Sequence, residues 1–277
     1  MRKHLSPRAD ARRAAHRRGG QTVRVSWSHT VLLFAAGILG GLTGSIAGLA
    51  SVATYPALLL TGLPPVTANV TNTAALVFTG VGSVWGSRPE LKGQGRLLLR
   101  TLPFAAVGGV AGAALLLTTP AEGFERAVPV LLGFAAMAIL LPVRPPRDGN
   151  ADGGPRVATR LLQGGAVLAI CIYGGYFGAA AGVLLLALFL RMGHETLAHA
   201  NAIKNVVLGI SNGVAALVFA VLAPVQWTAA VTLGLGCLVG GRLGPVVVRH
   251  APDRPLRIAI GLAGIALAVK LGFDAYR

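Results

Sequence analysis

Acidic side chains are scarce in this sequence. The nine Asp and Glu residues (Asp10, Glu90, Glu122, Glu125, Asp148, Asp152, Glu195, Asp253 and Asp274) all fall in polar stretches or near the ends of apolar runs. Cation pathways and proton relays are usually built on carboxylates inside a span, so neither is expected here. Charge of either sign is sparse, at 12% of residues against the ~25% of soluble domains. Cysteine is limited to Cys171 and Cys237, both within apolar segments. That implies no disulfide framework and fits small buried side chains; a thiol that handles a sulfur compound is the functional alternative. Catalytic motifs are missing too: there is no G-x-S-x-G nucleophile and no phosphate loop. The run His194-Glu195-Thr196-Leu197-Ala198-His199 misses H-E-x-x-H by one position. Its imidazoles would not share a helix face as zinc requires, and it reads as a polar loop. No catalytic residue, metal centre or cofactor is expected. Period-2 alternation, the signature of a membrane β-barrel, is also absent.

Apolar residues fill the space that charge leaves. They make up 54% of the chain, mean hydropathy is +0.67, and several runs reach the ~20 residues needed to cross a bilayer. The expected fold class is an all-α polytopic protein of the cell membrane. The net charge of +16 is concentrated at the start, where eight basic residues (Arg2, Lys3, Arg8, Arg12, Arg13, Arg17, Arg18 and Arg24) precede the first apolar run with only Asp10 against them. Residues 1–28 therefore read as a basic disordered tail that attracts anionic lipid, rather than a nucleic-acid binder. They do not resemble a signal peptide, because the basic region is long and the apolar run continues past a 7–15-residue core.

Two stretches organise the rest. Gly40-Gly41-Leu42-Thr43-Gly44-Ser45-Ile46-Ala47-Gly48 and Gly174-Gly175-Tyr176-Phe177-Gly178-Ala179-Ala180-Ala181-Gly182 share the pattern G-G-x-x-G-x-x-x-G. Each glycine costs a soluble helix about 1 kcal/mol against Ala, whereas membrane helices tolerate such interruptions. Matching breaks in two halves point to a transporter's binding site. All eight glycines (Gly40, Gly41, Gly44, Gly48, Gly174, Gly175, Gly178 and Gly182) are read as helix-breaking. The halves overlay further: Asn69 matches Asn201, the Gly108-Gly109-x-x-Gly112 run matches Gly240-Gly241-x-x-Gly244, and Arg126 matches Arg257. The expected organisation is a first membrane repeat over 29–142, a polar linker over 143–158 and a second repeat over 159–277. Each repeat has four segments and opens with a Gly-broken helix. Counting every segment as a crossing gives eight with the N-terminus inside. A re-entrant fifth segment alone would give seven crossings and bring the Arg249, Arg254 and Arg257 cluster inside. If both broken segments were re-entrant, the halves would be inverted, with the basic tail outside. Charge counting leaves these open.

Polar groups inside the segments mark where chemistry could sit. Asn69, Asn72 and Thr73 open the second segment, while Asn201, Lys204, Asn205, Leu208 and Asn212 share one face of the sixth. Such groups face a wet cavity or bond helix to helix, and Lys204 could instead snorkel. Amides, hydroxyls, one ammonium and free backbone N–H groups at helix breaks, without acids, suit a small anion. Asn69, Asn72, Thr73, Asn201, Lys204 and Asn205 are the candidate substrate-binding residues.

With those residues in view, the chain resembles the TauE/SafE family of sulfite exporters over about residues 31–272. The resemblance rests on Gly40-Gly41-x-x-Gly44-x-x-x-Gly48, Tyr55-Pro56-Ala57-Leu58-Leu59, Gly62-Leu63-Pro64-Pro65-x-x-Ala68-Asn69, Tyr173-Gly174-Gly175-Tyr176-Phe177-Gly178, Ala200-Asn201-Ala202-x-Lys204-Asn205 and Gly240-Gly241-Arg242-Leu243-Gly244. Asn69-Val70 and Leu49-Ala50-Ser51 depart from the family's usual pattern. The resemblance implies a two-repeat carrier that moves sulfite, sulfonates or related organosulfur anions, usually outward. The partners it implies are that anion and membrane lipid, and it is compatible with a homo-oligomer. A membrane scaffold or accessory subunit with an interacting basic tail is the alternative, and an intramembrane enzyme ranks third.

Overall fold

The computed structural model describes residues 27–124, 157–179, 181–192 and 196–250, with isolated positions between 126 and 133 and between 258 and 273. The basic tail up to residue 26, linker residues 143–156 and most of the fourth and eighth apolar segments lie outside the described residues. Everything described is helix or connection. In chain order the helices are α1 (Trp27–Ala47), α2 (Ala50–Leu60), α3 (Pro65–Gly86), α4 (Arg88–Leu91), α5 (Gly95–Thr118), α6 (Val157–Tyr176), α7 (Ala181–Arg191), α8 (Leu197–Leu222) and α9 (Trp227–His250). Among them α1, α5, α8 and α9 are long and apolar enough to cross a bilayer. Helix α3 is as long, but Thr67, Asn69, Thr71, Asn72 and Thr73 lower the hydropathy of its first half.

Helix α1 ends at Ala47, and Gly48 follows with φ of +76°. That left-handed conformation costs L-residues roughly 1–2 kcal/mol. It reverses the chain, so that α2 runs back along α1, with Gly44 against Ala50 and Gly40 against Thr54. The second glycine run does the same one turn earlier: α6 ends at Tyr176 and Gly178 has φ of +75°. The Tyr173 hydroxyl donates to the Ala179 carbonyl at 2.6 Å and clamps this turn.

Only Gly48 and Gly178 sit at the turns. Gly40, Gly41 and Gly44 lie inside continuous α1, Gly174 and Gly175 inside α6, and Gly182 inside α7. Reading these six as helix-breaking is therefore corrected. Helical hydrogen bonding survives at glycine when neighbouring helices close over it, and most of these glycines serve that close approach. Gly41 lies against Cys237 and Gly241 of α9; Gly175 lies against Gly109 and Gly112 of α5. The contacts climb in step along both helices, so α1 runs parallel to α9 and α6 parallel to α5. Gly241 meets Thr79 of α3 while Gly109 meets Ser211 of α8. Both cysteines are buried and unpaired, Cys171 against Gly108 and Cys237 against Gly41. Where α3 ends, about two turns before the end of α9, the Arg242 guanidinium lies 4.2 Å from the Trp85 ring centre, a cation–π contact that fastens one helix to the other.

The two turns meet. A side chain on Gly48 would collide with the Gly182 backbone, and one on Gly182 with Gly48. Beside them, Tyr55 of α2 packs edge-on against Phe177 at 5.5 Å, and Phe124 against Phe177 at 5.8 Å. Gly48→Ala should therefore incur both backbone strain and overpacking, about 2–5 kcal/mol together. Gly62 has φ of +86° with open space around its Cα, so Gly62→Ala should cost only about 1–2 kcal/mol. Unfolding of the two variants in detergent checks this; equal losses would contradict the packed turn.

Candidate functional site

Breaking α1 at Gly48 frees the last carbonyls of the helix. The Gly44 carbonyl still accepts from Gly48 N–H at 2.7 Å, but Leu49 N–H turns to the Thr43 carbonyl at 3.4 Å and not to Ser45. A buried carbonyl without a partner costs about 1–3 kcal/mol. Helix α8 supplies the partners. The Asn201 amide donates to the Ser45 carbonyl at 2.9 Å, Asn205 at 3.2 Å and the Lys204 ammonium at 3.2 Å. Lys204 also donates to the Gly44 carbonyl at 3.1 Å. Its side chain is fully buried and does not snorkel. Because carbonyls gather at the negative end of a helix dipole, an ammonium is favoured there.

The other half carries a related bond. Asn69 of α3 donates from its amide to the Tyr176 carbonyl, the last residue of α6, at 2.9 Å. Asn72 donates to the Ser51 hydroxyl at 3.1 Å. Ser51 sits in the first turn of α2 and accepts that bond, which leaves its own O–H free to donate elsewhere. The Thr73 hydroxyl bonds back to the Asn69 carbonyl at 3.1 Å, inside its own helix. On the next face of α3, the Thr71 hydroxyl accepts from Gln226 N–H at 3.1 Å and ties the α8–α9 turn down.

Next to these bonds lies a half-open cavity of about 40 Å³, room for about three waters or one small ion. Gly44, Gly48 and Ser51 from the first turn line it, together with Gly178 from the second, Thr79, Gly80 and Ser83 from α3, and Asn205, Gly209 and Asn212 from α8. Of the six expected substrate-binding residues, Asn205 lines the cavity. Lys204 and Asn201 stand one layer behind it and hold the Gly44 and Ser45 carbonyls. Asn72 stands behind Ser51. Asn69 and Thr73 bond to backbone and do not reach the cavity lining. Ser51 of α2, and Thr79 and Ser83 farther along α3, line the cavity and escape a sequence reading that stops at Thr73. For Thr79 and Ser83 the signal was present, because Asn69, Asn72, Leu76, Thr79 and Ser83 recur at helical spacing and continue one face toward the cavity.

Glu90 and Glu122, the described acids, lie outside the buried interior, so among the described residues Lys204 is not paired with a carboxylate. His199 of the H-E-x-x-x-H run is part of the α8 cap: its ring Nδ1 lies 2.6 Å from the Thr196 hydroxyl, which accepts from His199 N–H. His194 and Glu195 lie outside the described residues.

The Ser45 carbonyl is shared by three donors, so removing them should not be additive. Asn201→Ala alone should cost about 0.5–1.5 kcal/mol, and combining it with Lys204→Met should add a coupling of about 0.5–3 kcal/mol. A double-mutant cycle on unfolding midpoints measures this; strict additivity would contradict a common acceptor.

Comparison with known proteins agrees with this architecture. The family model described as "Sulfite exporter TauE/SafE" matches residues 32–271. A protein of Sinorhizobium sp named probable membrane transporter protein ORF9 is 30% identical over 251 residues, covering 87% of this chain and 92% of its own length. The probable membrane transporter protein YfcA of Escherichia coli K12 is 26% identical over 249 residues, covering 88% and 90%. A probable membrane transporter protein of Haemophilus influenzae is 23% identical over 248 residues, covering 88% and 94%. No solved structure matches the chain. With four span-capable helices and a family match along nearly its whole length, this multi-pass membrane protein belongs to the TauE/SafE family of membrane transporters.

Proposed function

We propose that this protein is a secondary carrier of small anions such as sulfite, sulfonates or related organosulfur compounds, moving them outward, with its site in the cavity between the two helix turns. The observation that carries the reading is the fully buried side-chain amine of Lys204, one residue layer behind that cavity, with no described acid beside it. The α2 N-terminus also opens onto the cavity at Ala50 and Ser51 without a side-chain cap, and helix N-termini favour anions. Asn205, Asn212, Ser51 and Thr79 are the donors that would face the substrate; the Ser83 hydroxyl donates to the Gly80 carbonyl at 3.1 Å and lines the wall. Lys204 and Asn201 hold the frame behind it, while Asn72 orients Ser51 and Asn69 and Thr73 steady α3. The reading extends to the chain's organisation as two inverted repeats with re-entrant openings. It is supported by α1 against α9 and α6 against α5, and by the Gly41–Gly241 and Gly175–Gly109 contacts.

A scaffold without transport would need these polar faces only for helix contacts. Asn69 and Asn201 do make such contacts, but Asn212 and Ser83 border open space. Uptake into vesicles of purified protein, across sulfite, sulfate and taurine, tests the reading. Wild-type protein should exceed protein-free vesicles for at least one of the three, and equality for all would favour the scaffold. Asn212→Ala should weaken apparent affinity about 2- to 13-fold through one lost hydrogen bond. Asn212→Asp sets a carboxylate against the anion and should weaken it about 10- to 1,000-fold. Wild-type affinity in Asn212→Asp would move the site away from this cavity.

A further inference from the structure

Broken helices in carriers present freed carbonyls and helix C-terminal ends, and those are the groups that coordinate a mobile coupling cation. Here the Gly44 and Ser45 carbonyls of α1 form such an end, and a side chain already fills it. The Lys204 Nζ lies 3.1 Å from one oxygen and 3.2 Å from the other, wholly enclosed. The Asn201 side chain carries a further buried oxygen, to which the ammonium does not bond. Asn201 donates its amide N–H to the Ser45 carbonyl, yet its buried Oδ1 has no hydrogen-bond partner among the described residues.

We propose that Lys204 is a tethered cation: its ammonium occupies the position that a mobile monovalent cation would take at the α1 break, so this end of the helix needs no sodium ion. Three observations converge on that role. The acceptors are backbone carbonyls at a helix C-terminal end, the kind of group that coordinates a small cation at a helix break. The donor comes from α8, in the other half of the chain, and binds the break across the interface. Asn201 and Asn205 complete the ring around the Ser45 oxygen, so removing the ammonium leaves an oxygen-lined space closed by two amides. The consequence for coupling, an anion carrier with no sodium requirement at this position, rests on the transport reading above. The cation site itself does not, and the two can fail separately.

The test is thermal unfolding of full-length protein purified in detergent, at constant ionic strength, in sodium, methylammonium or N-methylglucamine chloride. Wild-type protein should melt at one temperature in all three. Lys204→Ala opens the site, and should melt lower than wild type in N-methylglucamine. Sodium or methylammonium, at about tenfold over its dissociation constant, should raise that midpoint by about 3–6 °C. An equal cation response in wild type and Lys204→Ala, or no response in either, overturns the proposal. If Lys204→Ala does not accumulate, Lys204→Met decides. It keeps the apolar stem, plugs the space and lacks the charge, so it should melt below wild type and ignore the cation supplied. A Met variant as stable as wild type would overturn the proposal equally.

Discussion

The constraint on which this structure depends is the unsatisfied backbone at the end of α1. In a bilayer core no water can complete a broken helix, and each orphaned polar group costs several kcal/mol. The chain nevertheless breaks at Gly48 and turns back on itself. Helix α8 makes that tolerable by sending three donors into the Ser45 carbonyl and one into the Gly44 carbonyl. Those bonds fix α8 against α1, and they bring Asn205 and Asn212 of the same helix to the cavity edge. The turn, the interface between the halves and the cavity are one physical arrangement.

Close approach of backbones is the second element. Gly48 and Gly182 leave no room for a side chain between them, so the two turns can touch. The glycines of α5 and α9 let α6 and α1 settle at backbone distance, and lipid offers no hydrophobic drive to replace that packing. Small residues perform the work that large apolar ones perform in a soluble core. This accounts for a chain with 38 glycines in which most of the conspicuous ones lie within helices.

Much of this was legible in the residues. The spacing of the glycine runs located both turns, and Asn201, Lys204 and Asn205 stood out as polar groups in an apolar run. What spacing could not reveal is which glycine turns and which packs. Gly44 and Gly48 look alike in sequence, and only the neighbour decides: Gly44 faces Ala50 of its own hairpin, whereas Gly48 meets the opposite turn. Nor could it assign Lys204. An ammonium facing carbonyls and one facing a substrate leave the same mark in a sequence. The cavity-lining Ser51 was hidden for another reason, since isolated hydroxyls are common in membrane helices as bonds between helices or to their own backbone.

The central claim is that a small anion rests between the two turns, and the heavier congener of sulfite can show it directly. Crystals grown with selenite and measured at the selenium edge should give one strong anomalous peak inside the cavity, bounded by Gly44, Ser51, Ser83, Asn205 and Asn212. An empty cavity at saturating selenite, with anomalous density only on the basic outer surface, would contradict the account.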